Sequence, residues 1–387
     1  MRRLVVVSLC LALGCSDGVE PSAEAPAPRD PAELGPYGIG VTSLEVESSG
    51  RTLPIEVWYP AAQGGAPEQY VVKIGVLELA RFDSPHAARR DAPLDRRGAP
   101  FPVVVFSHGN GGIRIQSVYL TEWLASHGFV VAAPDHVGNT LAEQVNQANA
   151  IPAAEAAVLR PGDVSRTLDA VLAAADTPGA RLRRAVDPGR VGVAGHSFGG
   201  FTALRVAGAS VDAQAMLAEC NASGGLVCDG WQDVSMPASA LDTRFRAALA
   251  HAPGGAQAMY AGNRNGFADV SMPVMIQGGE SDQLTPFAKE QKAPYGSLPS
   301  PAALVEIAKA GHFTFSDMCL LVEKLGLTLD AFDDGCGPEN VPWADAHALI
   351  DAYSTAFFQH TLLGADPSDR LDPAAALPAG VLGFDSK

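Results

Sequence analysis

The sequence predicts an α/β domain built on a mostly parallel central sheet with helices on both faces. Three observations lead there. Short, uniformly apolar runs recur along the chain, such as Val103-Val104-Val105-Phe106, and runs of that kind are strands buried on both faces. Segments with the apolar spacing of helices separate them, the order expected when crossover helices join parallel neighbours. One of the strands also runs straight into Gly195-His196-Ser197-Phe198-Gly199-Gly200 and then into a helical period.

The elements follow in chain order. Arg2 and Arg3 precede an apolar run over residues 4–14 that ends at Cys15. A charged start and a short apolar core make an export signal, too short to span a bilayer. Ala12-Leu13-Gly14-Cys15 resembles a bacterial lipoprotein processing site, which implies removal of residues 1–14 and lipid on Cys15. A plain secretory peptide is the other reading, and both make this an exported bacterial protein, in the cell envelope if lipidated and otherwise periplasmic or secreted. Residues 15–36 are rich in Pro, Ala and Glu and read as a flexible tether. The folded domain is expected over residues 37–387.

Alternation marks paired strands at residues 42–47 and 53–59. Apolar strands are expected at 102–107, 129–133, 191–194, 272–277 and 303–308, with a weaker one at 245–250. Helices are expected at 115–126, 161–175, 201–208 and 343–363. Residues 210–243 and 316–342 break this rhythm and read as insertions over the rim of a site.

The chain has 387 residues and a formal net charge of -16. Nucleic acid and anionic membrane attract Lys/Arg patches. The acidic balance therefore argues against both as partners and leaves a lipid at Cys15 as the route to a membrane. Beyond Cys10 and Cys15, the cysteines are Cys220, Cys228, Cys319 and Cys336. An even count in an exported chain suits disulfides. Proximity in sequence favours Cys220 with Cys228 and Cys319 with Cys336, among three possible connectivities. A zinc site is the weaker reading, because neither pair has C-x2-C spacing. No metal or organic cofactor is expected.

The chemistry centres on Ser197. A strand, the pattern G-x-S-x-G and a helix together form a nucleophile elbow, a sharp turn that exposes the serine hydroxyl above a sheet. In folds of this kind the acid and then the base follow the serine, each after a strand. After the strand at 272–277 comes Gly278-Gly279-Glu280-Ser281-Asp282-Gln283-Leu284-Thr285-Pro286. Asp282 is the candidate acid, with Glu280 and more distantly Asp269 as alternatives. After the strand at 303–308 comes Lys309-Ala310-Gly311-His312. His312 is the candidate base, singled out from nine histidines by this position. The loop Ser107-His108-Gly109-Asn110-Gly111-Gly112 follows another strand and is the candidate oxyanion loop. Backbone amides of Phe198 and Asn110 are the expected donors, Gly111 being the alternative to Asn110, and His108 is read as loop support. The loop has neither the Walker lysine nor the G-x-G-x-x-G spacing of phosphate loops.

With these residues in place, the chain resembles the platelet-activating-factor-acetylhydrolase-like and dienelactone-hydrolase-like branch of the α/β-hydrolases. The resemblance rests on Leu53-Pro54-Ile55-Glu56-Val57-Trp58-Tyr59-Pro60, Phe106-Ser107-His108-Gly109, the stretch from Leu124 to His136, and the elbow itself. The elbow carries Ser197 where dienelactone hydrolases carry cysteine. More distantly the chain is similar to cutinase-like polyester hydrolases. The resemblance implies a serine esterase that cleaves short or lipid-like acyl esters through an acyl-enzyme. Polyester hydrolysis, amide or peptide hydrolysis by the same triad, and a non-enzymatic binding lipoprotein are the other expectations.

Overall fold

In the computed structural model, the apolar runs form the interior of one large sheet; the structure describes residues 24–387 apart from 148, 225–226, 261–264, 327–329 and 367. Its main strands are β1 (Gly38–Ser48), β2 (Arg51–Ala61), β3 (Phe101–Ser107), β4 (Val130–Pro134), β5 (Val186–His196), β6 (Phe245–His251), β7 (Val274–Gly279), β8 (Ala302–Ile307) and β9 (Val381–Ser386). Their order is β9-β8-β7-β6-β5-β3-β4-β2-β1, with the two-residue strands Arg89–Arg90 and Ala66–Pro67 beyond β1. The strands from β4 to β8 pair in parallel, while β2 and β9 run antiparallel to their neighbours and β1 runs antiparallel to β2 and parallel to Arg89–Arg90. β1 and β2 form a hairpin whose turn residues Ser49 and Gly50 both have positive φ, the backbone that matches strand twist.

Helices of eight residues or more are α1 (Val118–Ser126), α2 (Ala153–Asp176), α3 (Phe198–Val206), α4 (Ala213–Ser223), α5 (Met318–Leu325) and α6 (Trp343–Leu363). Val164, Leu168 and Val171 of α2, with Phe201 and Leu204 of α3, cover one face of the sheet. Leu120 and Leu124 of α1, with Ile350, Phe357 and Phe358 of α6, cover the other. This is the α/β-hydrolase fold. Parallel strands end on one edge, so the loops after β3, β5, β7 and β8 gather there. In open α/β sheets that edge is where ligands bind.

Three sequence expectations change. The helix expected to start at residue 161 begins at Ala153, and Pro161 lies inside it. Proline's fixed φ is helical, so one hydrogen bond is lost rather than the helix. The preceding turn is held from outside: Asp229 accepts from the amides of Ala153 through Oδ1 (3.0 Å) and of Ala154 through its carbonyl (3.1 Å). Residues 62–100 hold an unanticipated hairpin, Gln69–Ile74 paired with Leu77–Asp83. It docks through Trp58 Nε1–H donating to Tyr70 Oη (2.7 Å), which donates to buried Glu122 (2.6 Å). The tether expected to reach residue 36 is docked by its end. Trp123 Nε1–H donates to the Pro31 carbonyl (3.2 Å), and Gly35 N–H donates to Ser126 Oγ (2.9 Å). The end of the tether thus offers a carbonyl to one residue of α1 and an amide to another.

Disulfides join Cys220 to Cys228 and Cys319 to Cys336, as an exported chain allows. The expected export signal over 1–14, Cys15 and the first part of the expected tether lie outside the described residues. Among the described residues, no helix is long and apolar enough to cross a membrane.

Candidate active site

Ser197 stands between β5 and α3 at φ +57° and ψ -120°. The turn closes only because its neighbours lack side chains. A Cβ on Gly195 would lie 2.2 Å from the Gly199 carbonyl oxygen, and one on Gly199 would lie 1.8 Å from that of Ser107. The serine backbone is fixed on both sides: its N–H donates to the His251 carbonyl (2.9 Å), and its carbonyl accepts from Gly254 N–H (3.1 Å).

His312 Nε2 lies 2.9 Å from Ser197 Oγ, and His312 Nδ1 lies 3.1 Å from Asp282 Oδ2. The tautomer that satisfies both contacts has Nδ1–H donating to the carboxylate and Nε2 accepting from the serine hydroxyl. Asp282 and His312 are both buried. Both oxygens of Asp282 are held by Thr285, whose amide donates to Oδ1 (2.6 Å) and whose hydroxyl donates to Oδ2 (2.6 Å). Gln291 Nε2–H in turn donates to the Thr285 carbonyl (2.7 Å). The alternative acid Glu280 points elsewhere and accepts from Lys309 N–H (3.0 Å). Asp269 lies against Gly208, beyond the C-terminal end of α3.

The loop after β3 runs beside the serine. An added Cβ on Gly109 would sit 3.4 Å from Ser197 Cβ, and Gly111 has φ +66°. Asn110 accepts a hydrogen bond from Asn139 Nδ2 (2.7 Å) and lines the cavities on both sides of Ser197. Phe198 is the first residue of α3, where a helix amide has no intrahelical acceptor. His108 supports the loop, as expected: it is buried, and its Nε2 accepts from His136 N–H (3.0 Å).

Sequence reasoning missed two supports of this loop. Arg160 of α2 is buried beneath the loop and donates to Ser107 Oγ (3.0 Å), to the His108 carbonyl and to Asn139 Oδ1 (3.2 Å). Its guanidinium lies 4.8 Å from the Phe198 ring centroid. Burial pulls its pKa down to about 9, still a cation at neutral pH. Gln116 links the loop to the elbow. Its Oε1 accepts from Gly109 N–H (2.8 Å), its Nε2–H donates to His196 Nδ1 (2.9 Å), and His196 Nε2–H donates to the His312 carbonyl (3.0 Å). Burial first, then the nearby His312 and His251, push His196 well below the usual imidazole range, so it is neutral. Nothing in the linear sequence marks Arg160 or Gln116, because their partners are far away along the chain.

Two cavities meet at Ser197 and His312. The narrower, about 100 Å³, is apolar, with Ile113, Ile115, Leu141, Phe313, Met318 and Leu321 in its wall. The wider, about 560 Å³, is mixed, with Met216, Leu284, Glu219, Lys289, Glu290 and the Cys220–Cys228 disulfide. The two expected insertions therefore each contribute to a wall. Among the described residues no cluster of His, Cys, Asp and Glu could hold a metal.

A family model described as platelet-activating factor acetylhydrolase, isoform II, matches residues 72–157. That stretch contains the loop after β3. Cutinase est2 of Thermobifida alba is 26% identical over 220 residues, which cover 56% of this chain and 55% of that protein. Platelet-activating factor acetylhydrolase of Cavia porcellus is 28% identical over 124 residues, 27% of this chain and 28% of the relative. Cutinase 1 of Thermobifida cellulosilytica is 26% identical over 220 residues, 63% of its length. The chain thus spans about half the length of the cutinases it matches and about a quarter of the acetylhydrolases. The chain has the α/β-hydrolase fold and is similar over part of its length to the platelet-activating factor acetylhydrolases and the cutinases.

Proposed function

We propose that the protein is a carboxylic ester hydrolase working through an acyl-enzyme. The observation that carries this reading is the unbroken hydrogen-bonded chain from Ser197 Oγ through the His312 ring to Asp282. His312 Nε2 takes the hydroxyl proton as Ser197 Oγ attacks the ester carbonyl carbon. Asp282 fixes the tautomer and steadies the imidazolium. The carbonyl oxygen becomes an oxyanion facing the amides of Phe198 and Asn110, with the Arg160 cation behind them. Aimed donors in a site shielded from water are usually the largest part of the rate gain. As the tetrahedral intermediate collapses, the ester C–O bond breaks and His312 returns its proton to the leaving alcohol. Water, activated by the same imidazole, then releases the acid.

Lipid-like and polyester substrates both fit the reading. The acetylhydrolase match includes the loop beside Ser197, whereas the cutinase matches extend over more of the chain. The test is hydrolysis of a p-nitrophenyl ester series from acetate to palmitate, with a polyester film and a matched p-nitroanilide beside it. Turnover of esters well above the anilide, absent in Ser197→Ala, is expected. Preferred turnover of the anilide would replace the esterase reading by an amidase one. No Ser197-dependent turnover of any substrate would overturn the enzymatic reading. For location, the reading is a lipoprotein anchored at Cys15. Mass spectrometry of the mature N-terminus should find lipid on Cys15 and none in Cys15→Ala, and an unmodified mature terminus beyond Cys15 would contradict it.

A further inference from the structure

The second insertion does more than wall a cavity. Its turn at Asp333–Cys336 packs backbone against backbone on the loop that carries His312. A Cβ on Gly311 would lie 2.3 Å from Gly335 N, and a Cβ on Gly335 would lie 2.5 Å from Thr314 N. Gly335 itself sits at φ +122°, a backbone that favours glycine. This contact buries the side chain of Asp334 between two loops. Oδ1 accepts from the backbone N–H of His312 (3.0 Å). Oδ2 accepts from Gln283 N–H (3.0 Å) and Leu284 N–H (2.9 Å), the two residues directly after Asp282. A single carboxylate thus bridges the loop after β7 and the loop after β8. The turn is anchored from behind as well. Cys336 is bonded to Cys319 of α5, and Asn340 accepts from Gly335 N–H (3.1 Å) while donating to the Lys309 carbonyl (3.1 Å).

We infer that Asp334 is a positioning residue that sets the spacing of Asp282 and His312, and that the Cys319–Cys336 disulfide holds it in place. The inference rests on the proposed triad. The spacing it controls is critical: the His312–Asp282 contact is already 3.1 Å, and a displacement on the order of 1 Å in such a group can cost about 100-fold in rate. Asp334 lines neither cavity itself and meets the wall residues Gln283 and Leu284 and the base His312 only through their backbone N–H groups, so its loss should act on turnover more than on substrate binding.

The experiment compares wild type, Ser197→Ala, Asp334→Ala, Asp334→Asn and the double variant Cys319→Ser/Cys336→Ser. Each is tested for its melting transition, for kcat and KM on p-nitrophenyl acetate, and for the downfield proton NMR signal of His312 Nδ1–H. In folded Asp334 variants, kcat should fall on the order of 10- to 100-fold with KM within about twofold, and the downfield signal should broaden or vanish. The double cysteine variant should show the same pattern more weakly. A folded Asp334 variant with wild-type kcat and an undisturbed signal overturns the inference. If neither Asp334 variant folds, a folded double cysteine variant with wild-type kcat and signal overturns it. Absence of Ser197-dependent turnover in the wild type would overturn the esterase reading instead, and the proton signal would still decide whether Asp334 holds His312 against Asp282.

Discussion

Ser197 occupies a backbone conformation that a serine avoids, φ +57° with ψ -120°, at a cost of about 1–3 kcal/mol. Packed glycines and two backbone hydrogen bonds hold it there, and its hydroxyl faces His312 as a result. Replacing Ser197 by Ala should lower kcat on the order of 10⁴- to 10⁶-fold, measured as initial rates on p-nitrophenyl acetate; activity within about tenfold of wild type would remove the serine from the chemistry. Thr285 is a finer probe. Its hydroxyl bonds one Asp282 oxygen, while its amide keeps the other. Thr285→Val removes one hydrogen bond to a charged acceptor, about 1.5 kcal/mol. The expected loss in kcat is roughly tenfold with KM unchanged, and steady-state kinetics would show whether KM moves instead.

At the scale of elements, the elbow tolerates no added carbon at Gly199, where a Cβ would come within 1.8 Å of the Ser107 carbonyl oxygen. Gly199→Ala should lower stability by about 3 kcal/mol or prevent folding; an urea midpoint equal to wild type would mean that β3 and α3 can separate at little cost. The Cys220–Cys228 bond closes a short loop, with a sequence separation of 8. Its removal by Cys220→Ser/Cys228→Ser should cost about 2–3 kcal/mol by chain entropy. Because these cysteines line the wider cavity, KM for bulky esters should rise with that loss of stability. The buried strands and α6 were legible in the sequence because their apolar runs are continuous and bounded by turn residues. Residues 62–100 were not, since their strands are short and draw their order from tertiary contacts such as Tyr70 to Glu122. Pro161 suggested a helix start, since proline favours the first helical turn, and the anchor that moves the start to Ala153 lies 76 residues away in sequence, at Asp229. The spacing of Ser197, Asp282 and His312 followed from strand order, whereas Thr285, Arg160, Gln116 and Asp334 act through contacts that no local pattern announces.

The whole molecule carries its buried ionisable groups in two opposed sets. Burial pushes His251 and His347 down to about 3 and His127 to about 4. Unfolded histidines bind protons below about pH 6.5, so from about pH 4 to 6.5 the unfolded chain gains protons that the folded one refuses, and stability rises with pH. Burial also pushes Glu122 and Glu290 up to about 7 and Asp317 to about 8. These carboxyls keep protons in the folded state that the unfolded chain sheds near pH 4, which lowers stability as pH rises through about 7 to 8. His108, His136 and His196 are lowered too, and Asp351 is raised well above the usual carboxylate range, so the two sets oppose each other below about pH 6.5 and the carboxyl set alone remains above it. The melting temperature should therefore fall between about pH 6.5 and 8; calorimetry that finds it still climbing to about pH 8 would contradict this account.

The fold brings four loops from distant parts of the chain to one sheet edge, and the central claim is that they make Ser197 a nucleophile. A serine-directed fluorophosphonate, followed by peptide mapping in the mass spectrometer, tests that claim most directly. One phosphonyl group on Ser197 is expected, with none in Ser197→Ala and much slower labelling in His312→Ala. No labelling of the folded wild type, or labelling at another residue that survives Ser197→Ala, would contradict the claim.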